Sequence, residues 1–270
     1  MTTPRSLRAV VVPGVVAVLL VLAQVAYPLT VGVGRDRVTV VVVMLSAATG
    51  LAHAVVSRGV GFAVGVLVIV AGVGLVAEIV GVATGLPFGC YEYAHGGLGV
   101  EVAGVPVVVP LAWAGGLYPV WVVAGRLSVR GWLRVSLTAV GAVGWDLFLD
   151  PQMVADGRWR WCSAWPGLPG LAQIPWTNYV GWLGVALLMA VLLEVLDRGS
   201  PRRAVTIVVP VVVFLWTWLG STLAHAVFLG LPVSAGYGFV GLGLLGIPLV
   251  CAIFRDSSPR FRRAFGRNAA

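Results

Sequence analysis

Residues 60–83 read VGFAVGVLVIVAGVGLVAEIVGVA, twenty-four positions with a single ionisable side chain, Glu78. At 1.5 Å per residue a helix of that length crosses the roughly 30 Å hydrocarbon core of a bilayer. Comparable apolar runs cover about 9–31, 38–56, 104–124, 132–150, 178–196, 204–229 and 236–254, giving eight spans. Of the 270 residues, 59% are hydrophobic and 10% charged, too few charges to coat a soluble domain of this size. The fold class is therefore all-α, a polytopic transmembrane helical bundle in the cell membrane. Residues 1–254 form one domain, and 255–270 a basic, disordered cytoplasmic tail.

The basic residues are all arginine, as in proteins of GC-rich bacterial genomes, and give a net charge of +8. Nucleic-acid binding is the first thought for such a charge, but the arginines lie in short loops, where they set topology. With the N-terminus inside, fourteen of the eighteen fall on the cytoplasmic side, leaving Arg35, Arg37, Arg158 and Arg160 outside. That asymmetry puts both termini in the cytoplasm. The run from Val10 to Val31 is too long for a signal-peptide core and reads as the first span. Pro106, Pro110 and Pro119 predict a kinked or broken fourth helix. The glycines of the third and eighth spans suit close helix contact in lipid.

Two long connections interrupt the apolar pattern, residues 84–106 and the stretch from Trp145 through Trp161 to Trp182. By parity both lie on the outer side. Asp146 and Asp150, four apart, share one face of the fifth helix, which Pro151 is expected to stop or kink. Glu78 lies within a span and Glu92 follows in the first loop. Carboxyls gathered in an apolar site keep a proton available for general acid work, so Asp146, Asp150, Glu78 and Glu92 are the catalytic candidates. Asp146 and Asp150 have a plainer reading as well, capping a helix or pairing with Arg158 or Arg160. Tyr91, Tyr93, Trp113, Trp145, Trp159, Trp161 and Trp182 read either as an interfacial belt or as the wall of a long apolar ligand site. Asn178 can hold a water or hydroxyl, and His225, near the outer end of the seventh span, can join the carboxylates. His53 reads as structural. No HxxH or HExxH pair supports a metal site. Cys90 and Cys162 fall in loops on one side, where a bridge is allowed, but scattered cysteines without CxxC spacing read first as free thiols.

Four blocks in order, TGxPFGxYxY (84–93), VPxxVPLAW (105–113), WDLFLDPxMVxxGxWxW (145–161) and IPxxNYxGW (174–182), carry a further reading. Together they resemble the integral-membrane carotenoid biosynthesis protein family, whose members include bisanhydrobacterioruberin hydratase and γ-carotene 1′-hydratase. Gln173 departs from the glycine expected before Ile174-Pro175. The resemblance implies an enzyme, a carotenoid 1,2-hydratase, adding water across the terminal C1=C2 bond of an acyclic carotenoid to give a tertiary alcohol. It implies a lipophilic carotenoid substrate, contact with membrane lipid and with other enzymes of the pathway, and no redox cofactor. Two alternatives compete: a prenyltransferase-like enzyme using Asp146 and Asp150 for magnesium diphosphate, and a non-catalytic carotenoid-binding or scaffold protein.

Overall fold

The computed structural model describes residues 4–162, 165–201 and 203–257, with backbone alone for 4–10. Most of the expected basic tail, from 258 on, lies outside these residues. Among the described residues, eight helices are long and apolar enough to cross a membrane. They are α1 (Pro4–Ala26), α2 (Gly32–Arg58), α3 (Val60–Leu67) running through a π-turn at Val68–Gly72 into α4 (Val73–Thr84), α5 (Val108–Leu127), α6 (Gly131–Ala155), α7 (Trp176–Arg198), α8 (Val208–Leu223) ending in a second π-turn at Ala224–Phe228, and α9 (Pro232–Ser257). The molecule is an all-α, multi-pass membrane bundle. Its outer surface carries Val12, Leu22, Val64, Val76, Leu188, Val195 and Phe254, all exposed, as lipid-facing helices require.

α5 is the central post. Of its apolar stretch 83% is buried, against 22% for those of α1 and α8. The helix is unbroken from Val108 to Leu127 with Pro119 inside it. The expected break fails because Pro110 lies in the first turn, where the missing N–H costs little. Pro106 precedes the helix altogether, in a short strand. α6 likewise does not stop at Pro151 but continues to Ala155. The carbonyl of Leu147, which Pro151 cannot bond, accepts a hydrogen bond from Ser234 Oγ of α9 at 2.8 Å, so the missing helical bond is replaced from a neighbouring helix.

α6 and α9 touch backbone to backbone. A Cβ built on Gly144 lies 2.6 Å from the carbonyl carbon of Gly241, so only glycine lets these helices approach so closely.

Two polar ends brace the bundle. At one, Asp197 of α7 pairs with Arg58 of α2 at 2.7 Å and Arg134 of α6 at 3.0 Å. Arg134 also stacks 3.5 Å above the Trp121 ring. His53 is bonded to the Tyr118 hydroxyl and the Thr206 carbonyl, the structural place its sequence position suggests. At the other end lie both long connections, folded into three two-stranded antiparallel sheets: β1 (Tyr91–Tyr93) with β4 (Trp159–Trp161), β2 (Glu101–Val102) with β3 (Val105–Pro106), and β5 (Gly167–Leu168) with β6 (Leu171–Pro175). Cys90 and Cys162 form a disulfide beside the β1–β4 ladder. The cysteines are therefore not the free thiols expected, because strand pairing brings the two loops into register. Here Arg158 pairs with Asp36, and Arg35 and Tyr27 both bond Asp156.

Replacing Gly144 with alanine is expected to lower stability by about 1–3 kcal/mol through overpacking. The thermal midpoint of the purified protein in detergent, followed by size-exclusion chromatography after heating, measures it.

Candidate active site

The i, i+4 spacing of Asp146 and Asp150 places both carboxyls on one face of α6, in the pocket they share with Asn178 of α7 and Glu78 of α4. Residue exposure falls to 1% for Asp146, 4% for Asp150 and 4% for Glu78. These three line one small cavity together with Tyr91, Tyr93, Trp113, Trp159, Trp161, Asn178 and Trp182. Three carboxyls from two spans thus converge in a buried pocket with no arginine among its lining residues. The pairings with Arg158 or Arg160 are not made by Asp146 or Asp150, since those guanidinium groups serve Asp36 and Glu92.

Asn178, in the first turn of α7, supplies the organising donor. Its Nδ2 lies 2.5 Å from Asp150 Oδ2 and 3.4 Å from Asp146 Oδ2. The Tyr91 hydroxyl donates to Glu78 Oε2 at 2.5 Å, and Tyr93 lines the same pocket. Burial, and then the neighbouring Glu78 carboxylate, pushes both phenol hydroxyls up from their ordinary value, so each stays protonated as a donor. Asp146 Oδ1 is buried without a hydrogen-bond partner.

The lid over this pocket follows from strand geometry. In β1 and β4 alternate side chains point to opposite faces. The register pairs Tyr91 with Trp161, Glu92 with Arg160 and Tyr93 with Trp159. Four aromatic rings therefore face the carboxyls, while Glu92 and Arg160 pair on the outer face. Glu92 does not join the catalytic candidates; it is one residue out of phase with them and half exposed. Gly81 of α4 lets the lid sit down, because a Cβ there would meet the Tyr91 hydroxyl at 2.6 Å. Below, Trp113 stacks on Trp182 with ring centres 4.0 Å apart, and Phe88 stacks on the same indole at 4.6 Å.

Beyond the pocket lies a larger cavity of about 360 Å³, bounded mainly by apolar side chains of α2, α5, α6 and α8. Val109, Leu149 and Trp159 line both spaces. Trp145 faces the larger one, its ring edge-on to Trp113. His225 also faces it, on the π-turn after α8, bonded to Ser234 and Gln152 rather than to the carboxylates. Phe88 and Gln152 were not singled out from sequence. The proline and glycine around Phe88 read only as turn signals, and Gln152 lies on the α6 face opposite the two aspartates.

The fold and site define a multi-pass helical membrane protein whose buried carboxyl cluster lies beneath an aromatic lid and beside a largely apolar cavity. The family described as carotenoid biosynthesis protein matches residues 14–245, and the chain belongs to that family. Bisanhydrobacterioruberin hydratase of Haloarcula japonica is 29% identical to it over 178 residues, 62% of this chain and 58% of the relative. The match therefore spans less than two thirds of that relative's length. No solved structure matches the chain.

Because Asn178 is the donor common to two buried acids, Asn178→Leu is expected to cost about 1–3 kcal/mol. Glu92→Ala, breaking an exposed pair, should stay within about 0.5 kcal/mol. Parallel thermal-unfolding measurements on the two variants test the contrast; equal losses would contradict it.

Proposed function

We propose that the protein is a hydratase of acyclic carotenoid ends, adding water across the terminal C1=C2 bond to leave a tertiary alcohol. The observation that carries this reading is the convergence of Glu78, Asp146 and Asp150 in a buried, aromatic-lined pocket against the larger, mainly apolar cavity. Membership of a carotenoid biosynthesis family and a distant relative named as a hydratase support it.

The sizes of the two spaces divide the labour. The small cavity, about 20 Å³, suits one water molecule. The large one takes the polyene, whose end reaches the acids past Val109, Leu149 and Trp159. In the proposed reaction the carboxylic acid of Asp146 gives its proton through Oδ1, the oxygen with no other partner, to C2 of the terminal alkene. The π electron pair becomes the new C–H bond and leaves a tertiary cation at C1. Water held by Asp150 adds to C1 and releases a proton to the carboxylates, so the sum is alkene plus water to alcohol. Asn178 orients Asp150, and Tyr91 holds Glu78. Trp113, Trp159 and Trp161 line the pocket, where the negative face of an indole stabilises a nearby cation and the rings exclude other water. No electron transfer is involved, so the reaction requires no redox cofactor. A magnesium–diphosphate reaction needs cations beside the acids, and the pocket lining includes none.

We further propose that this end of the bundle faces away from the cytoplasm of the cell membrane, and both termini face into it. The arginine asymmetry supports that orientation, as does the disulfide, which persists in oxidising compartments.

Expressed in a host that accumulates acyclic carotenoids, the protein should yield products heavier by one water. Asp146→Asn and Asp150→Asn should each reduce that yield by at least about a hundredfold while the protein still accumulates in the membrane. Full activity in both variants would sink the mechanism. For orientation, intact cells carrying Cys251→Ser protein, reduced and then treated with a membrane-impermeant maleimide, should be labelled at Cys90 and Cys162. Labelling only after cell lysis would invert the assignment.

A further inference from the structure

The exposed residues of the larger cavity all lie on one side of it. Val25 is 50% exposed, Leu29 76%, Leu223 57% and Phe228 59%, and the other lining residues are buried or half-buried. Val25 lies near the end of α1, and Leu29 closes the short turn after it, Tyr27–Leu29. Leu223 is the last residue of α8, and Phe228 the last of the π-turn that follows. Each of these side chains lines the cavity and meets the outer surface of the bundle at once. The cavity is therefore continuous with the surroundings between α1 and α8, and around membrane-spanning helices those surroundings are hydrocarbon.

The gap has a physical origin. Nearer the end of the bundle without strands, Ala17 and Leu20 of α1 share a buried cluster with Val209 and Val213 of α8. About one turn further along each helix, Trp216 Nε1 donates to the Gln24 side-chain oxygen at 2.8 Å. Beyond that bond α8 presents Thr217, Gly220, Ser221 and Ala224 to the cavity. Their spacing of three and four puts them on one helix face. Small residues so spaced in a membrane helix ordinarily receive a neighbouring helix. Here they line the cavity instead and keep its mouth wide. The Gln24–Trp216 bond is the sill of that mouth, and the π-turn is its upper rim. Such turns recur at functional sites in helices.

Among the described residues, none of α1 or α8 lines the carboxyl pocket. The residues common to both spaces, Val109, Leu149 and Trp159, belong to α5, α6 and β4. The mouth and the acids thus adjoin different parts of the cavity wall. We propose that the gap between α1 and α8 is a lateral port through which an acyclic polyene enters end-first from the surrounding lipid. It rests on the reading of the large cavity as the polyene's berth. The bilayer is such a chain's solvent, so a mouth onto lipid admits it without exposing hydrocarbon to water. The leading end advances toward Leu149 and Trp159 and the acids behind them, and the trailing part stays in the membrane. Selection then falls on the end of the chain rather than on its length.

Bulky plugs and a labelling measurement test the port. The full-length protein is placed in phosphatidylcholine vesicles containing lycopene, an acyclic polyene hydrocarbon, and water addition is followed by mass analysis. Val25→Trp and Ser221→Trp are each expected to slow the initial rate at least about tenfold. Leu188→Trp, at an exposed position of α7 that lines neither space, should stay within about twofold of the unmodified protein. For labelling, Ser221→Cys and Leu188→Cys are each combined with Cys251→Ser, so that the introduced thiol is the free one beside the Cys90–Cys162 disulfide. Lycopene in the vesicles should protect residue 221 from an apolar maleimide and leave residue 188 unprotected. This measurement decides alone if the tryptophan variants do not fold. Labelling at 221 that lycopene does not slow overturns the port, as do full rates in both tryptophan variants, and either result leaves the hydratase reading standing. Protection at 221 in a protein that adds no water to lycopene supports the port and removes the hydratase reading.

Discussion

A single side-chain amide, Asn178, holds the site together by donating toward both Asp146 and Asp150. Carboxyls at membrane depth are costly unless each finds a partner, and here the partners come from different places. α7 supplies Asn178, the strand lid supplies Tyr91, and α4 supplies the floor carrying Glu78. The bundle's other features serve that convergence. The central α5 gives Trp113 a fixed wall, and Gly81 lets the lid descend onto α4. The Asp197 cluster locks α2, α6 and α7 at the far end, so that the relative height of α6 and α7 is set.

Much of this architecture was legible in the sequence, because hydrocarbon thickness is a severe filter. The eight spans emerge from run length alone, and Asp146 and Asp150 share a face because helical spacing demands it. Convergence with Glu78 was not derivable that way, since no local pattern says which face of one span meets which face of another. Glu92 shows the complementary failure. YEY and WRW carry a period of two, with the charged residue between aromatics in each, and opposite charges there forecast an outward pair. Reading the loop as irregular hid that signal. The disulfide was missed for the same reason, since only the β1–β4 register brings Cys90 and Cys162 together.

The prolines mark the limit of local rules. Pro151 forecasts the end of α6 when the helix is considered alone, yet Ser234 on α9 replaces the lost donor and the helix runs on. In lipid a freed carbonyl has no water to turn to, so a helix carrying proline persists where a neighbour offers a hydroxyl. Ser234 is bonded in turn to His225, and His225 to Gln152, on the wall of the larger cavity.

The two strands of the lid flank a pair of spans: β1 precedes α5, and β4 follows α6. During synthesis the first half of the ladder must wait until both of those helices have been made and turned back. Asn178 arrives later still, on α7. The carboxyl pocket therefore closes only once α7 has been made, and a ribosome stalled between α5 and α6 would leave a chain holding Glu78 and its tyrosines but neither aspartate.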